Sequence, residues 1–202
     1  MVNIINQIAG RIVLFTALIR TSTSPSFKVK LIKIKNEIEM SNSMVVDFPS
    51  RLTSPLVEIE DKRFFFHKGI DFYSIMRAIL KSITSTRLEG ASTIGQQLIR
   101  SITNERDLKL KRKINEIMLS VLIDNSFSKA EILKAYVNLY MFNSSIGIYN
   151  LCNKEKYDTF NLTKQDCAEL AARFKYPHLN KNNYVRFLKR VRTIEKKTML
   201  SV

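Results

Sequence analysis

Apolar residues in this chain recur three and four positions apart rather than every second position, and that spacing restricts the fold to packed helices. Over residues 108 to 123, Leu110, Ile114, Ile117, Met118 and Val121 fall on one predicted face, with Arg112, Lys113 and Glu116 toward the other. Over 129 to 141 the inward set is Ile132, Leu133, Tyr136, Val137 and Tyr140, and from about Tyr184 a strongly basic helix turns Phe187, Leu188, Val191 and Ile194 inward. Only 5 Gly and 4 Pro stand among 202 residues, so little interrupts such helices. The fold class expected is all-α, in one domain with an N-terminal extension. Three hydroxyl-x-x-acceptor pairs mark helix starts by satisfying orphan amides: Thr93 with Gln96, Ser128 with Glu131, and Thr163 with Asp166. Leu162 and Cys167 supply an apolar staple for the third, and Pro177 ends its helix soon after Phe174.

Residues 1–46 read as the extension and linker, and 47–202 as the domain. Ile4, Ile8, Ile12, Phe15 and Ile19 share a helical stripe, which suits an interfacial helix or a helix packed on the domain's own core, with a cleaved signal peptide as a weaker third reading. No stretch reaches the roughly 18 to 20 apolar residues expected of a membrane-spanning helix. Thr21 to Ser26, with Pro25, reads as a linker, and Phe27 to Lys35, with Lys28, Lys30, Lys33 and Lys35, as a short strand or an irregular basic arm.

The net charge of +15, from 33 Lys and Arg against 18 Asp and Glu, calls for an anionic partner. Nucleic acid, anionic lipid and a pyrophosphate-bearing substrate all answer to it. Cys152 and Cys167 form no CxxC or Cys/His cluster, which speaks against a zinc or redox site; they read as free thiols, or as a disulfide in an extracytoplasmic domain.

Chemistry concentrates in a few places. Glu60 and Asp61 precede Phe64, Phe65 and Phe66, an apolar setting that suits a carboxylate acting as proton acceptor; the plainer reading is a pair of acids at a helix start. Gly90 to Gln97 sets Ser92 and Thr93 at a helix N-terminus, an anion site or simply a cap. Arg100 lies two turns along, and Arg112, Lys113 and Glu116 lie within one turn of the next helix, as a phosphate clamp or a solvated salt-bridged face. His67 and His178 lack partners at ligand spacing and read as structural.

Taken together these residues resemble four motif blocks of the peptidoglycan glycosyltransferases, in family order, over about Thr53 to Met199. Glu60-Asp61-x-x-Phe64-x-x-His67-x-Gly69 resembles the first, and Gly90-x-Ser92-Thr93-Ile94-x-Gln96-Gln97-Leu98 the second, with Arg100 where a Lys is usual. Arg112-Lys113-x-x-Glu116 resembles the third, and Ser128-Lys129-x-x-Ile132-Leu133-x-x-Tyr136-x-Asn138 the fourth.

The resemblance implies a lysozyme-like two-lobed helical domain that polymerises lipid-linked disaccharide-peptide (lipid II) into glycan strands and releases undecaprenyl pyrophosphate. Glu60 takes the place of the general base and Glu116 of the second essential carboxylate. Asp61, Ser92, Thr93, Gln96, Gln97, Arg100, Arg112 and Lys113 take the substrate- and phosphate-binding places, and Phe64, His67, Gly69, Gly90, Ser128, Tyr136 and Asn138 the structural ones. A divalent cation, magnesium or manganese, is admitted at Glu116 but not required. Implied partners are lipid II, the lipid-linked glycan chain, the membrane surface and other cell-wall synthesis proteins, with no nucleic acid. The implied location is the extracytoplasmic face of the bacterial inner membrane, with no anchor evident.

Ala91 and Gly95 depart from the family's Gly and Thr, and an interior Gly costs a helix about 1 kcal/mol. Asn143 replaces a usual Gly, and the chain after Gly147 and Ile148 is abbreviated. The loop substitutions and the missing anchor motivate the alternative of a diverged module that binds lipid-linked glycan without turning it over. A basic nucleic-acid binder and a lysozyme-like hydrolase complete the alternatives.

Overall fold

The computed structural model describes residues 2–43, 50–84, 90–105, 110–143, 162–176 and 179–199. Helices occupy most of them and no strand occurs among them, in line with the all-α expectation. The elements are α1 (Val2–Thr23), α2 (Pro25–Ser43), α3 (Ser50–Glu60), a 3-10 turn (Phe64–Phe66), α4 (Phe72–Thr84), α5 (Ile94–Thr103), α6 (Leu110–Ser126), α7 (Lys129–Asn143), α8 (Lys164–Arg173) and α9 (Lys181–Met199). They form two compact units, the first from Met1–Val45 and Arg63–Tyr136, the second from Val46–Lys62 and Val137–Val202. The boundary expected near Asp47, together with Cys152, Gly147, Pro177 and His178, lies outside the described residues.

In the first unit, α6 packs on α1 and α5, and α2 packs on α1 and α5. The segment expected as a linker and a strand or arm is instead the end of α1 and most of α2. Ser24 is the junction: its carbonyl accepts from the amides of Phe27 and Lys28, and Pro25 occupies the first helical position, where a missing N–H costs nothing. Phe27, Leu31, Ile34 and Ile38 then recur at helical spacing and are buried, a stripe whose members stabilise the unit by about 1.5 to 3 kcal/mol each. The alternation of lysines is the by-product of a helix whose outer faces are basic.

Helix α1 corrects a second expectation. Ile4–Thr23 is long and apolar enough to cross a membrane, with mean hydropathy 1.3 over its 20 residues, because Asn, Gln and Thr dilute an apolar run without disqualifying it. Only 17% of that window is buried. Asn6, fully buried, accepts from the amide of Phe72 at 2.9 Å and so caps α4, and Gly10 lies against the Lys68 side chain. Ile8, Ile12 and Phe15 are exposed, as are Ile79, Leu80 and Ile83 on α4.

The expected inner face of α6 is only partly observed. Val121 is buried, but Leu110 and Ile114 are exposed, whereas Glu116 is buried. The amino-terminal half of α6 has turned its charged side inward, because that side finds compensating charges on α5. From Leu119 to Asp124 the helix is buried all round. On α7 the inward residues Ile132, Leu133, Tyr136 and Val137 are as expected, and the side chain of Tyr140 lies outside the described residues.

In the second unit α3, α8 and α9 pack on one another. Leu52, Leu56 and Val57 of α3, Cys167, Ala168, Leu170, Ala171 and Ala172 of α8, and Phe187, Val191 and Ile194 of α9 are its buried apolar groups, while Leu188 is exposed. Thr163 and Asp166 form a complete capping box at the start of α8, with Leu162 and Cys167 both buried behind it. Ser128 and Glu131 make the same reciprocal pair at α7.

Candidate active site

The residues singled out in the sequence divide between the two units. In the first, Gly69 is the organising point. Its φ of +76° suits only glycine, and a Cβ there would stand 2.5 Å from the Ser120 carbonyl oxygen. The Gly69 carbonyl in turn accepts from Ser120 Oγ at 2.9 Å, Thr93 Oγ1 at 3.1 Å and Gln96 Nε2 at 3.3 Å. The loop after the aromatic run is thereby pinned to α5 and α6 together.

At the start of α5, Thr93 is the N-cap and accepts from the Gln96 amide. The Gln96 side chain does not reach back to complete the box; it donates to Gly69 and accepts from Lys113. Ile94, Gly95 and Gln96 are buried, so the amides of this first turn are covered and do not form the open anion site that a helix N-terminus suggests. What the loop does instead is hold Lys113. Its Nζ donates to Ser92 Oγ at 2.8 Å and to Gln96 Oε1 at 2.7 Å. A Cβ at Gly90 would meet nothing within 4 Å among the described residues, and Gln97 accepts from the hydroxyl of buried Tyr136 at 3.0 Å.

Glu116 is the centre of the charges. It is 2% exposed and receives Arg100 as a bidentate fork, Nε to Oε1 at 3.0 Å and Nη2 to Oε2 at 3.1 Å. Arg112 also donates to Oε1, and Lys113 Nζ stands 3.6 Å from Oε2. A buried carboxylate is tolerable only when paired this closely. Among the described residues, three cationic side chains thus converge on this one carboxylate, a balance of charge that suits an anionic ligand. Burial pushes the Lys113 ammonium below its ordinary pKa, as do the Arg100 and Arg112 charges, and Glu116 only partly restores it. The hydrogen bonds that Arg100 donates to Glu116 raise its pKa.

Glu116 is not placed as a metal ligand. Its two oxygens are occupied by three cationic side chains, and among the described residues no group of three His, Cys, Asp or Glu converges. This side-chain set does not fit a protein-bound divalent cation.

The remaining motif residues of the first unit brace the site. Phe64 is buried, with His67 edge-on at 6.3 Å between ring centres and Lys129 Nζ 4.5 Å above its ring. Lys129 is also paired with Asp124. Phe65 and Phe66 are exposed. Arg63 donates to Asp71 and to Ser74, each at 2.7 Å, and lies over Tyr73. Burial alone would push the Asp71 carboxyl up, but the hydrogen bonds from Arg63 and Ser74 and the Arg63 charge outweigh it and hold its pKa below the usual carboxylate value.

In the second unit, Glu60 is the last residue of α3 and Asp61 follows it, buried, with its amide bonded to the Val57 carbonyl at 2.9 Å. A helix start would favour these acids, whereas the C-terminal end of a helix opposes negative charge, so the capping explanation fails. Glu60 is held instead by Arg190 of α9, the two side chains being 16% and 18% exposed. Asn138, on α7, is fully buried. Arg190 was not among the residues singled out in the sequence. Its only trace there is its place beside the row Lys189, Thr193 and Lys197, four apart on a basic helix and indistinguishable by spacing from a solvated face.

A family model described as Transglycosylase matches residues 29–199. Penicillin-binding protein 1A of Clostridium botulinum is 31% identical over 169 residues, 75% of this chain and 20% of that protein. Penicillin-binding protein 1A of Clostridium tetani is 39% identical over 108 residues, 50% of this chain and 14% of that protein. A Cupriavidus necator protein whose name assigns it to the transglycosylases is 35% identical over 136 residues, 65% of this chain and 58% of that protein. The chain thus spans less than two thirds of each of these relatives.

Proposed function

The chain belongs to the transglycosylase family, and from that premise we propose that it is a peptidoglycan glycosyltransferase that extends glycan strands from lipid II and releases undecaprenyl pyrophosphate. The acceptor's 4-hydroxyl oxygen attacks the anomeric carbon of the lipid-linked donor, which inverts. The new C–O bond forms as the bond from that carbon to the pyrophosphate oxygen breaks. Glu60 takes the hydroxyl proton, and the leaving pyrophosphate keeps the bonding electron pair.

The observation that carries this reading is the cluster at Glu116. A good leaving group needs its growing negative charge met rather than a proton delivered. Arg100, Arg112 and Lys113 are three cations fixed in place by one buried carboxylate and by Ser92 and Gln96. Prior fixation means that little ordering remains to be done when the pyrophosphate arrives. Thr93, Gln97, Tyr136 and Gly69 act behind these groups. Any magnesium or manganese that takes part would arrive on the pyrophosphate, since the Glu116 oxygens are already occupied. The exposed apolar side chains of α1 and α4 suit a membrane surface on which both substrates are anchored.

The alternative of a binding module without turnover loses its motive at two of the substituted positions. Gly95 sits where a Cβ would meet Ser120 Oγ at 2.6 Å, and Arg100 forms a two-point contact with Glu116. Both substitutions are accommodated by their neighbours.

The test is polymerisation of labelled lipid-linked disaccharide by the purified full chain in detergent. Glu60→Gln is expected to slow polymer formation by about a hundred- to ten-thousandfold, the usual contribution of a general base. Polymer formed at the wild-type rate by Glu60→Gln, or no polymer from the wild type under any detergent and metal condition, would sink the proposal.

A further inference from the structure

A cavity of about 370 Å3 lies in the first unit, between α1 and α6. Gln7, Gly10, Arg11 and Leu14, at i, i+3, i+4 and i+7, turn one stripe of α1 toward it. Val121 and Asn125 line it from α6, and Lys68 from the loop that ends at Gly69. Gly10 lets α1 come close to that loop, since a Cβ there would already stand 3.4 Å from the Lys68 Cβ. Arg11 and Lys68 are cations, and no acid lines the cavity. Both are exposed, and among the described residues neither side chain forms an ion pair or a hydrogen bond. Arg63, Arg100, Arg112, Lys113 and Lys129 of the same unit each have a carboxylate partner. Two like charges on one cavity repel each other, and an anion between them removes that repulsion.

What borders the cavity narrows the choice of anion. Ile8 lies three positions before Arg11 and Phe15 four after it, so Arg11 stands at the edge of the exposed stripe of Ile8, Ile12 and Phe15. A phosphate held by Arg11 and Lys68 has apolar surface running beside it, which the phosphodiester of a phospholipid needs and a free phosphate does not. The exposed amides of Gln7 and Asn125 are placed to donate to the oxygens of such a headgroup.

We propose that this cavity binds the headgroup phosphate of an anionic phospholipid, whose acyl chains lie against the exposed stripe of α1. The phosphate bridges Arg11 on α1 and Lys68 on the loop, and so fastens α1 to the loop that Gly69 pins to α5 and α6. The site rests on the membrane surface of the glycan-polymerising reading and uses none of the residues around Glu60 or Glu116.

The test is titration of the purified full chain, in an uncharged detergent, with phosphatidylglycerol, read by native mass spectrometry as lipids retained per chain. One phosphatidylglycerol is expected to bind saturably, and phosphatidylcholine of the same chain length about tenfold more weakly. Arg11→Gln with Lys68→Gln should weaken phosphatidylglycerol about tenfold or more, as expected for lost charged hydrogen bonds, and Arg11→Lys with Lys68→Arg should retain it. Both positions are exposed and unpaired among the described residues, so these pairs leave the fold intact. Lys28→Gln with Lys33→Gln, on exposed positions of α2, removes the same charge and should leave the binding unchanged. An equal loss in that α2 pair overturns the site in favour of diffuse attraction, and wild-type binding by the Arg11 and Lys68 glutamine pair overturns it outright. Phosphatidylcholine bound as tightly as phosphatidylglycerol overturns the charge argument. Displacement by inorganic phosphate at the same concentration assigns the cavity to a free anion, and displacement by an equal amount of lipid-linked disaccharide assigns it to the substrate; either overturns the phospholipid. Binding is read here without turnover, so the two ideas fail separately. An active polymerase that retains no phosphatidylglycerol sinks the site alone, and a chain that holds the lipid but makes no polymer supports the site while sinking the polymerase.

Discussion

Lys113 illustrates how a single side chain is held at a cost to the fold. Desolvation and two neighbouring guanidinium groups disfavour its charge, yet Ser92, Gln96 and Glu116 keep it in place. With its folded pKa below the unfolded value, the unfolded chain binds the proton more tightly. The penalty is therefore present at neutral pH and is relieved as pH rises through the lowered pKa toward 10.5. Lys113→Arg, which does not titrate in that range, should lack this gain. Urea unfolding at pH 8 and pH 10.5 is expected to show wild-type stability rising relative to the variant; a fall would contradict this arrangement of charges around Lys113. Gly69 and Lys113 were both visible as motif positions, but the sequence offered no way to see that one pins a loop and the other is pinned by it. Arg190 showed only as one more cation on a basic helix, since its partner lies 130 positions away.

Between elements, the approach of α5 to α6 is decided at Gly95 and Ser120. Sequence reasoning treats Gly95 as a weakness in α5. Packing reverses that judgement, because Ser120 Oγ, fixed by its bond to the Gly69 carbonyl, occupies the space a Cβ would need. Gly95→Ala is expected to destabilise the wild type by about 1 to 3 kcal/mol through overpacking. In a Ser120→Ala background the same change should become neutral or favourable, approaching the roughly 1 kcal/mol by which Ala exceeds Gly in a helix. A thermal-denaturation double-mutant cycle measures this, and additivity of the two changes would refute the close contact. Helix existence and capping were legible from side-chain spacing: the boxes at Ser128 and Thr163 are local chemistry and formed as expected. The inward face of α6 was misread, because periodicity registers apolar residues and is blind to a buried carboxylate paired across helices.

At the scale of the whole molecule, the proposed membrane surface draws on a charge of +15 and on the exposed apolar residues of α1 and α4. The full chain is expected to co-float with phosphatidylglycerol vesicles at low salt and to be released progressively as salt rises, with Phe15→Asp and Ile83→Asp together weakening the association at every salt concentration. Salt-insensitive binding, or wild-type binding by the double variant, would remove the surface from consideration. Composition and helical period were enough by themselves to settle that the chain is all-α and basic, because both follow from short-range chemistry along the backbone. Tertiary structure alone decided which charges meet. Glu116 gathers Arg100, Arg112 and Lys113, and Glu60 meets Arg190, because the energy of an ion pair depends on distance in space and on burial, and neither quantity is written in the order of residues.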